Sequence, residues 1–337
     1  MTAAVGAGRA VRDRLVDWGY AAGWTLVRAL PERLAAALFN RVGDVAFRRQ
    51  GTGIRRLRGN LRRVVGPDIS EPELDRLTRR AVRSYARYWL ETFRLPVMAR
   101  DRVAARVDRD CQGAEHIDRA RAEGRGVVLV LPHMGNYDVA AVWLIERGVP
   151  FTTVAERLRP ESLFDRFMAY RQKLGMEVLP LTGGANTPAD VLVRRLREGG
   201  TVCLVGDRDL TASGIAVDFF GERAKMPAGP AYLAVRTGAS LLPVGLWFEP
   251  DGWGQRIHPP VPIQTTGTLR EKVAAATQHV ADVFAEEITD HPADWHMLQR
   301  LWLADLPSPL TGPTDPQSGT HPGPQSGPHP GTQTGPR

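Results

Sequence analysis

The chain has 337 residues, of which 43% are hydrophobic and 24% are charged, and its formal net charge is +7. This composition excludes an intrinsically disordered protein, a small disulfide-stabilised domain and a polytopic membrane protein. No run of about 18 apolar residues is present, so we predict no transmembrane helix. The two cysteines, Cys111 and Cys203, lie far apart in sequence, and we expect neither a disulfide nor a cysteine-based zinc site.

The positive charge is concentrated in the first third of the chain. Residues 1–100 contain 20 Arg and 9 acidic residues, and the remainder has a small excess of acids. The densest segment, 41–63, holds eight Arg and one acid, Asp44. Such a segment favours an anionic partner, either nucleic acid or a membrane surface, but it is equally typical of a solvated helix face. Nucleic acid is disfavoured because the aromatic residues precede the Arg cluster instead of alternating with it.

The N-terminal region has the pattern of amphipathic helices. Residues 9–50 form an apolar series interrupted at Pro31, and Trp and Tyr side chains lie beside Arg. This combination suits a helix that lies in a membrane interface, and it also suits a helix packed on a protein core. Residues 70–95 predict a further helix, in which Ser70 and Glu73 form a capping box.

From about residue 105 the sequence alternates between short apolar runs and helical segments. Uninterrupted apolar strands between helices are typical of a parallel sheet that is covered on both faces. We therefore predict an α/β fold with a mostly parallel central sheet, flanked by helices on both faces, to which the N-terminal amphipathic helices are added. Strands are expected at 126–131, 151–154, 177–180, 201–205 and 239–247, and helices at 139–145, 161–174, 187–198, 227–237 and 268–290.

The C-terminal segment has a different composition. Pro and Gly make up 15 of its 31 residues, and no large apolar residue follows Leu310. Such a segment cannot bury enough apolar surface to offset the entropy of ordering it. We thus expect three regions: amphipathic, Arg-rich, membrane-associating helices over 1–60, an α/β domain over 61–306 and a disordered Pro/Gly-rich tail over 307–337.

Two strand ends carry polar clusters. PHMGNYD follows the strand at 126–131, and GDRD follows the strand at 201–205. Ligands of such sheets bind beyond the carboxyl ends of the strands. His133 is the candidate general base, and Asp138 could hold its imidazole tautomer across the strand-to-helix turn. If the two strands are near neighbours, Asp207 can reach the same ring, as in a catalytic triad without a protein nucleophile.

Structural alternatives exist for each of these residues. A single His at a strand end is most often a satisfied structural residue, and the H-x4-D spacing has low specificity. The charges at 207–209 could form a surface turn in which Arg208 makes ordinary salt bridges. We predict no metal site, because H-E-x-x-H is absent and His291 and His296 flank Pro and Trp. A serine hydrolase is disfavoured by the absence of G-x-S-x-G.

Seven co-linear segments carry a more specific signal. They are LPHMGNYD (131–138), ERLRPESLF (156–164), LGMEVLP (174–180), DRDL (207–210), FFG (219–221), MPAGPA (226–231) and DWHMLQ (294–299). Together they resemble the bacterial lysophospholipid acyltransferases of the lipid A lauroyl/myristoyl type. Within that family, the likeness is to the actinobacterial enzymes that acylate phosphatidylinositol mannosides.

The resemblance implies a reaction and a location. The expected enzyme transfers a long acyl chain, commonly palmitoyl, from acyl-CoA to a mannose hydroxyl of phosphatidylinositol mono- or dimannoside. It is expected to be a peripheral protein at the cytoplasmic face of the plasma membrane. Pro132 stands where glycerol-phosphate acyltransferases carry Asn, which argues against lysophosphatidic acid as the acceptor.

The resemblance also assigns roles to single residues. It implies His133 as the base and Asp207, or alternatively Asp209, as the carboxylate that supports it. It places Arg171 near the thioester or the phosphates. CoA phosphates need cations, and the candidates are, in order, Arg171, Arg208 and Arg236, with Ser213 as a further ligand contact.

The remaining requirements of acyl transfer are more general. The acyl chain needs an apolar tunnel, for which the sheet and helix 139–145 are the candidates, and the oxyanion needs donors, for which the backbone N–H groups after His133 are candidates. We expect no metal and no bound cofactor, with acyl-CoA as the co-substrate. The Arg-rich helices would hold the protein on the anionic inner membrane surface. The alternatives are the same chemistry on another glycolipid, or a non-catalytic protein that binds anionic membranes.

Overall fold

The computed structural model describes residues 25–155, 168–181, 187–209 and 214–306. Its strands are β1 (Cys111–Gln112), β2 (Val127–Leu131), β3 (Phe151–Ala155), β4 (Glu177–Pro180), β5 (Thr201–Val205), β6 (Ile215–Phe219), β7 (Glu222–Met226), β8 (Ser240–Glu249) and β9 (Gly252–Ile257). Its helices are α1 (25–29), α2 (Glu32–Arg49), α3 (Thr52–Val65), α4 (Glu71–Arg94), α5 (Arg100–Arg109), α6 (Ala114–Ala122), α7 (Tyr137–Glu146), α8 (168–173), α9 (Pro188–Arg197), α10 (Gly229–Thr237) and α11 (Leu269–Asp290).

The central sheet has seven strands in the order β1-β9-β8-β2-β5-β3-β4. Its pairs are parallel except for β8 and β9, which run antiparallel. This confirms the predicted α/β fold with a mostly parallel sheet. Leu131, the last residue of β2, pairs with Val205, the last residue of β5. The residues two positions further on, His133 and Asp207, therefore leave the sheet side by side.

Helices cover both faces of the sheet. Successive side chains of its central strand, β2, point to opposite sides and therefore pack in two different cores. Val128 and Val130 of β2 pack in a core that includes residues of α10 and α11. Leu129 and Leu131 pack in a second core, with residues of α5, α6 and α7. All five residues of β2 are buried, which explains the uninterrupted apolar run in the sequence.

The N-terminal helices are packed on the α/β domain. Helix α2 lies against α4, and α3 lies against α4 and the chain near residue 297. The buried amide of Asn60 in α3 donates to the carbonyls of Met297, at 2.8 Å, and Gln299, at 3.0 Å. Position 60, the predicted end of the N-terminal region, thus lies inside a helix that contacts the C-terminal part of the domain.

Most of the predicted elements are present, and several further elements were not predicted. The predicted strands are found within two residues of their expected ends, and helix 161–174 is described only from residue 168. The predicted capping box of Ser70 and Glu73 begins α4. Strand β9, the short β1, the hairpin of β6 and β7, and helices α5 and α6 are additional. The tail over 307–337 and residues 1–24 lie outside the described residues.

The contact between α3 and the chain near residue 297 gives a stability prediction. We expect Asn60→Ala to lower the free energy of unfolding by about 2–3 kcal/mol, because the buried carbonyl of Met297 and the partly buried carbonyl of Gln299 lose their donor. Gly59→Ala in the same helix is the matched control. Gly59 is exposed and a Cβ there meets no atom within 4 Å, so this variant should be more stable by about 0.5–1 kcal/mol. Chemical denaturation measures both, and equal effects would contradict the prediction.

Candidate active site

His133 and Asp207 form a directly bonded pair at the carboxyl ends of β2 and β5. The imidazole Nδ1 lies 2.6 Å from Oδ1 of Asp207. The backbone N–H of His133 donates to Oδ2 of the same carboxylate at 2.9 Å. The Asp207 side chain is fully buried, whereas the His133 side chain is 44% exposed. The carboxylate therefore holds the ring on its inner side, and the ring faces the region where a substrate could bind.

The environment of Asp207 keeps its carboxylate ionised. Burial, the largest single influence, acts to raise its pKa, but the charge of His133 and the hydrogen bonds from His133 and Trp295 together outweigh it. The pKa of Asp207 therefore lies below its ordinary value. An ionised Asp207 can fix the imidazole tautomer with the proton on Nδ1 and can stabilise the imidazolium.

The loop between β2 and α7 has a shape that requires glycine. Gly135 has φ +55°, and a Cβ there would lie 2.8 Å from the backbone of Leu246. The side chain of Asn136 caps α7 by accepting from the N–H groups of Asp138 and Val139. Its amide also donates to the buried carboxylate of Glu91 at 2.8 Å. These contacts fix where α7 begins and therefore where Asp138 points.

Asp138 pairs with Arg171 and not with His133. Its Oδ1 lies 3.1 Å from Nε of Arg171, and the Asp138 side chain is 3% exposed. The charge of Asp138 is the main cause that raises the pKa of Arg171 above its ordinary value. The interpretation in which Asp138 holds the imidazole is therefore wrong, since Asp207 occupies that position. Of the two candidates for the supporting carboxylate, Asp207 and Asp209, Asp207 is the one that bonds His133.

A large cavity opens beside the dyad. Its volume is about 820 Å³, within the range of ligand-binding pockets. It reaches from His133 along the sheet and beneath α7, as the sequence led us to expect for an acyl tunnel. Its lining is mainly apolar and includes Leu129, Ala140, Trp143, Phe151, Met176 and Leu246. A long hydrocarbon chain is the kind of ligand that such a lining favours.

The four predicted CoA-binding residues have different surroundings. Arg208 lines the cavity next to the dyad. Arg171 also lines it, but its charge is neutralised by Asp138. Arg236 is exposed in the last turn of α10, about one turn beyond Leu233, the last residue of that helix that lines the cavity. Ser213 lies outside the described residues. Among these candidates, Arg208 has the position best suited to a phosphate.

Two of the backbone N–H groups after His133, which the sequence suggested as oxyanion donors, already have hydrogen-bond partners. The N–H of Met134 donates to the carbonyl of Pro132 at 2.8 Å, and the N–H of Gly135 donates to the carbonyl of Asp294 at 2.9 Å. Both groups are therefore used within the fold. Within the described parts of the chain, no group of three or more His, Cys, Asp or Glu side chains is arranged to hold a metal ion.

The segment 294–297 was not predicted to belong to the site. The indole N–H of Trp295 donates to Oδ2 of Asp207 at 3.0 Å. The backbone N–H of His296 donates to the carbonyl of His133 at 2.7 Å. Burial, followed by the charge of His133, lowers the pKa of His296 to about 3, so this ring is neutral. The only sequence signal for these contacts was the DWHMLQ segment in the resemblance, which carried no chemical role.

Known proteins are similar to this chain over most of its length. Residues 9–304 match the family model of the bacterial lipid A biosynthesis acyltransferases. The phosphatidylinositol mannoside acyltransferase of Mycolicibacterium smegmatis is 52% identical over 294 residues, covering 87% of this chain and 93% of that protein. The Mycobacterium tuberculosis protein of the same name is 53% identical over 291 residues, covering 86% and 89%.

One solved structure is also similar. The 1-acyl-sn-glycerophosphate acyltransferase of Thermotoga maritima matches with a TM-score of 0.34 and 16% identity, covering 60% of this chain and 82% of that one. The family match and the two relatives settle the class of protein. This chain belongs to the bacterial lipid A biosynthesis acyltransferase family, and it is an acyltransferase.

The Asp138–Arg171 ion pair gives a prediction about stability and not about CoA binding. Each single substitution leaves the charge of the other partner without its counter-ion. We therefore expect Asp138→Asn and Arg171→Met each to lower the free energy of unfolding by about 3 kcal/mol. The double variant should lose clearly less than the sum of the two. A double-mutant cycle by urea denaturation measures this coupling. Additive losses, together with a raised KM for acyl-CoA in Arg171→Met alone, would instead identify Arg171 as a phosphate ligand.

Proposed function

We propose that this enzyme transfers a long acyl chain, with palmitoyl as the expected chain, from acyl-CoA to a mannose hydroxyl of phosphatidylinositol mono- or dimannoside. His133 is the general base. The observation that carries the proposal is the His133–Asp207 pair beside an apolar cavity of about 820 Å³. The two relatives of more than 50% identity, both named phosphatidylinositol mannoside acyltransferases, support the choice of acceptor.

The reaction follows from the orientation of the imidazole. Asp207 contacts Nδ1, so Nε2 is the ring nitrogen that acts as the base. As the acceptor oxygen attacks the thioester carbon, Nε2 takes the hydroxyl proton, and Asp207 stabilises the imidazolium. Collapse of the tetrahedral intermediate breaks the C–S bond and forms the ester. The departing thiolate takes the proton from Nε2, which returns His133 to its starting state and releases CoA.

The cavity and its edge suit the two parts of acyl-CoA. The apolar lining beneath α7 would hold the hydrocarbon chain and exclude water from it. Arg208 lies beside the dyad and is the cation that we assign to a CoA phosphate. The resemblance implies the 6-hydroxyl of the mannose on inositol position 2 as the acceptor group. No metal or bound cofactor takes part in these steps.

The outer face of the N-terminal helices suits a membrane surface. Leu34, Leu38 and Val42 recur every four residues along α2 and are 60%, 45% and 57% exposed. Exposed Arg33 and Arg41 flank them on the same helix. No helix among the described residues is long and apolar enough to cross a bilayer. We propose that α2 lies on the anionic cytoplasmic face of the plasma membrane, where the acceptor is found.

The proposed base gives the first activity prediction. With palmitoyl-CoA and phosphatidylinositol mannosides, His133→Ala should lose about 10²–10⁴-fold in the rate of CoA release, the usual contribution of a general base. His279→Ala is the matched control, because His279 is exposed on α11 and does not line the cavity. It should retain the rate of the wild type.

Four other outcomes of this assay would contradict all or part of the proposal. Full activity in His133→Ala would exclude His133 as the base. CoA release that does not depend on the mannoside would indicate a thioesterase. Release that occurs only with a different glycolipid would keep the chemistry and change the acceptor. No release with any acceptor would favour the alternative of a non-catalytic membrane-binding protein.

The membrane proposal has its own test. The double variant Leu34→Glu with Leu38→Glu should lose most of its binding to vesicles that contain anionic phospholipid, because two carboxylates then face the lipid. Leu269→Glu is the control, since Leu269 is 46% exposed but lies at the start of α11. Co-sedimentation at low and high salt measures the binding. Equal binding of wild type to neutral and anionic vesicles at low salt would contradict the proposal.

A further inference from the structure

We propose that Trp295 is a positioning residue for acyl transfer, whose indole N–H fixes the Asp207 carboxylate in the orientation that holds His133. Trp295 is fully buried and is not among the described residues that line the cavity. It therefore acts through Asp207 and not by contact with substrate. This inference rests on the proposed function, because it concerns the base of that reaction.

The Asp207 carboxylate accepts three hydrogen bonds, of which Trp295 supplies the only one in this set that does not come from His133. Oδ1 faces the imidazole Nδ1 at 2.6 Å. Oδ2 accepts from the backbone N–H of His133 at 2.9 Å and from the indole N–H of Trp295 at 3.0 Å. Without the indole N–H, only the two hydrogen bonds from His133 would remain of these three, and the plane of the carboxylate could rotate relative to the sheet.

The backbone brings Trp295 to this position by pairing with the catalytic loop. Trp295 and Met134 form an antiparallel β-bridge. On either side of it, the N–H of Gly135 donates to the carbonyl of Asp294, and the N–H of His296 donates to the carbonyl of His133. The segment that carries the indole is thus bonded directly to the segment that carries the base.

Aromatic side chains fix the plane of the indole. The ring of Phe219 lies 6.2 Å away at 74°, and the ring of Trp302 lies 6.2 Å away at 88°, both in edge-to-face geometry. Phe220 packs on the same ring at 6.5 Å. Its φ of +49° is unusual for a bulky residue, and the β6–β7 hairpin holds it there. Packing from three rings leaves the N–H with one direction, toward Asp207.

The N-terminal helices hold the other side of the segment. The hydroxyl of Ser84 donates to Asp294 at 2.6 Å and lies 2.9 Å from Nε2 of His296. The amide of Asn60 bonds the carbonyl of Met297. These contacts come from α4 and α3, so Trp295 is held on both sides and cannot move away from Asp207 without breaking them.

Few charged groups around the dyad could change the pH dependence. From the 294–297 segment, His296 is neutral, while burial raises the pKa of Asp294. Beneath α7, the charges of Asp138 and Arg171 offset each other. After β5, Arg208 and Asp209 line the cavity. The indole N–H donates to Asp207, so its removal weakens the hydrogen bonding of that carboxylate and changes no charge.

The experiment removes the N–H and keeps the ring. One variant is Trp295→Phe, and a second carries 3-benzothienylalanine at position 295, which preserves the indole shape and replaces the N–H by sulfur. We expect kcat to fall by about 10–100-fold, because the base is no longer held in its productive orientation, and KM for acyl-CoA to stay unchanged. The acidic limb of the pH–rate profile should move to higher pH. With one hydrogen bond fewer, the Asp207 carboxylate stabilises the His133 imidazolium more strongly and raises the pKa of that ring.

Trp247→Phe is the matched control. Trp247 is also a buried tryptophan, but its indole N–H donates to Oε1 of Glu249 at 2.6 Å, and its ring neither contacts Trp295 nor lines the cavity. This variant should lose stability while kcat and the pH profile stay as in the wild type. If the two Trp295 variants also keep kcat and the pH profile, or if they raise KM alone, Trp295 is a core residue only and the proposal is wrong.

A measurement without turnover separates this proposal from the proposed function. A titration of the His133 ring followed by 15N NMR, in the wild type and in the benzothienylalanine variant, reports the coupling to Asp207 directly. We expect the midpoint of the titration to rise in the variant. An unchanged midpoint and unchanged tautomer would overturn the role of Trp295 even if the enzyme is active. A shifted midpoint in a protein that acylates no mannoside would leave that role intact and overturn the proposed substrate.

Discussion

The buried negative charge of Asp207 is the constraint on which the arrangement of the site depends. A carboxylate with no exposed surface is costly unless hydrogen bonds and a positive partner replace its water. Here the backbone N–H of His133, the indole N–H of Trp295 and the imidazole of His133 do so. Strands β2 and β5 end at paired residues, so the loops that carry His133 and Asp207 leave the sheet side by side. The pairing of these two strands therefore sets the distance between the base and its carboxylate.

The site draws on residues that are far apart in the chain. The base and its carboxylate follow two neighbouring parallel strands, while the segment 294–297 returns to them after α11. Helices α3 and α4 hold that segment from outside through Asn60 and Ser84. Helix α2, which we propose for membrane contact, packs on α4. The proposed membrane-binding helix therefore contacts a helix that supports the catalytic loop.

The sequence predicted the parts of the fold whose signal is local. Uninterrupted apolar runs predicted the parallel strands because both faces of this sheet are buried. Strand β9 was missed because it contains glycines. At Gly254 a Cβ would lie 2.1 Å from the indole of Trp247, so the glycine is required by packing that the sequence does not reveal. The β6–β7 hairpin was missed because its exposed face alternates with a buried one and its turn places Phe220 at positive φ.

The chemistry of the site was predictable only in part. His133 and Asp207 were found because polar residues after buried strands are unusual in sequence. Asp138 was assigned to the wrong partner, because the direction of a side chain in the first turn of α7 depends on how Asn136 caps that helix. The role of Trp295 has no chemical pattern in sequence. From sequence alone a tryptophan is most simply interpreted as a core residue, and only the structure shows that its indole N–H donates to Asp207.

Ion pairs within the fold reduce the free charge both in the N-terminal basic segment and in the cavity. Several Arg residues in the basic N-terminal segment are bonded to acids of the fold, including Arg58 to Glu71 and Arg63 to Asp305. The net excess therefore overstates the charge available to a membrane, which comes from exposed residues such as Arg33 and Arg41. In the cavity, Asp138 and Arg171 neutralise each other. A cavity without net charge from this pair favours an uncharged hydrocarbon chain inside.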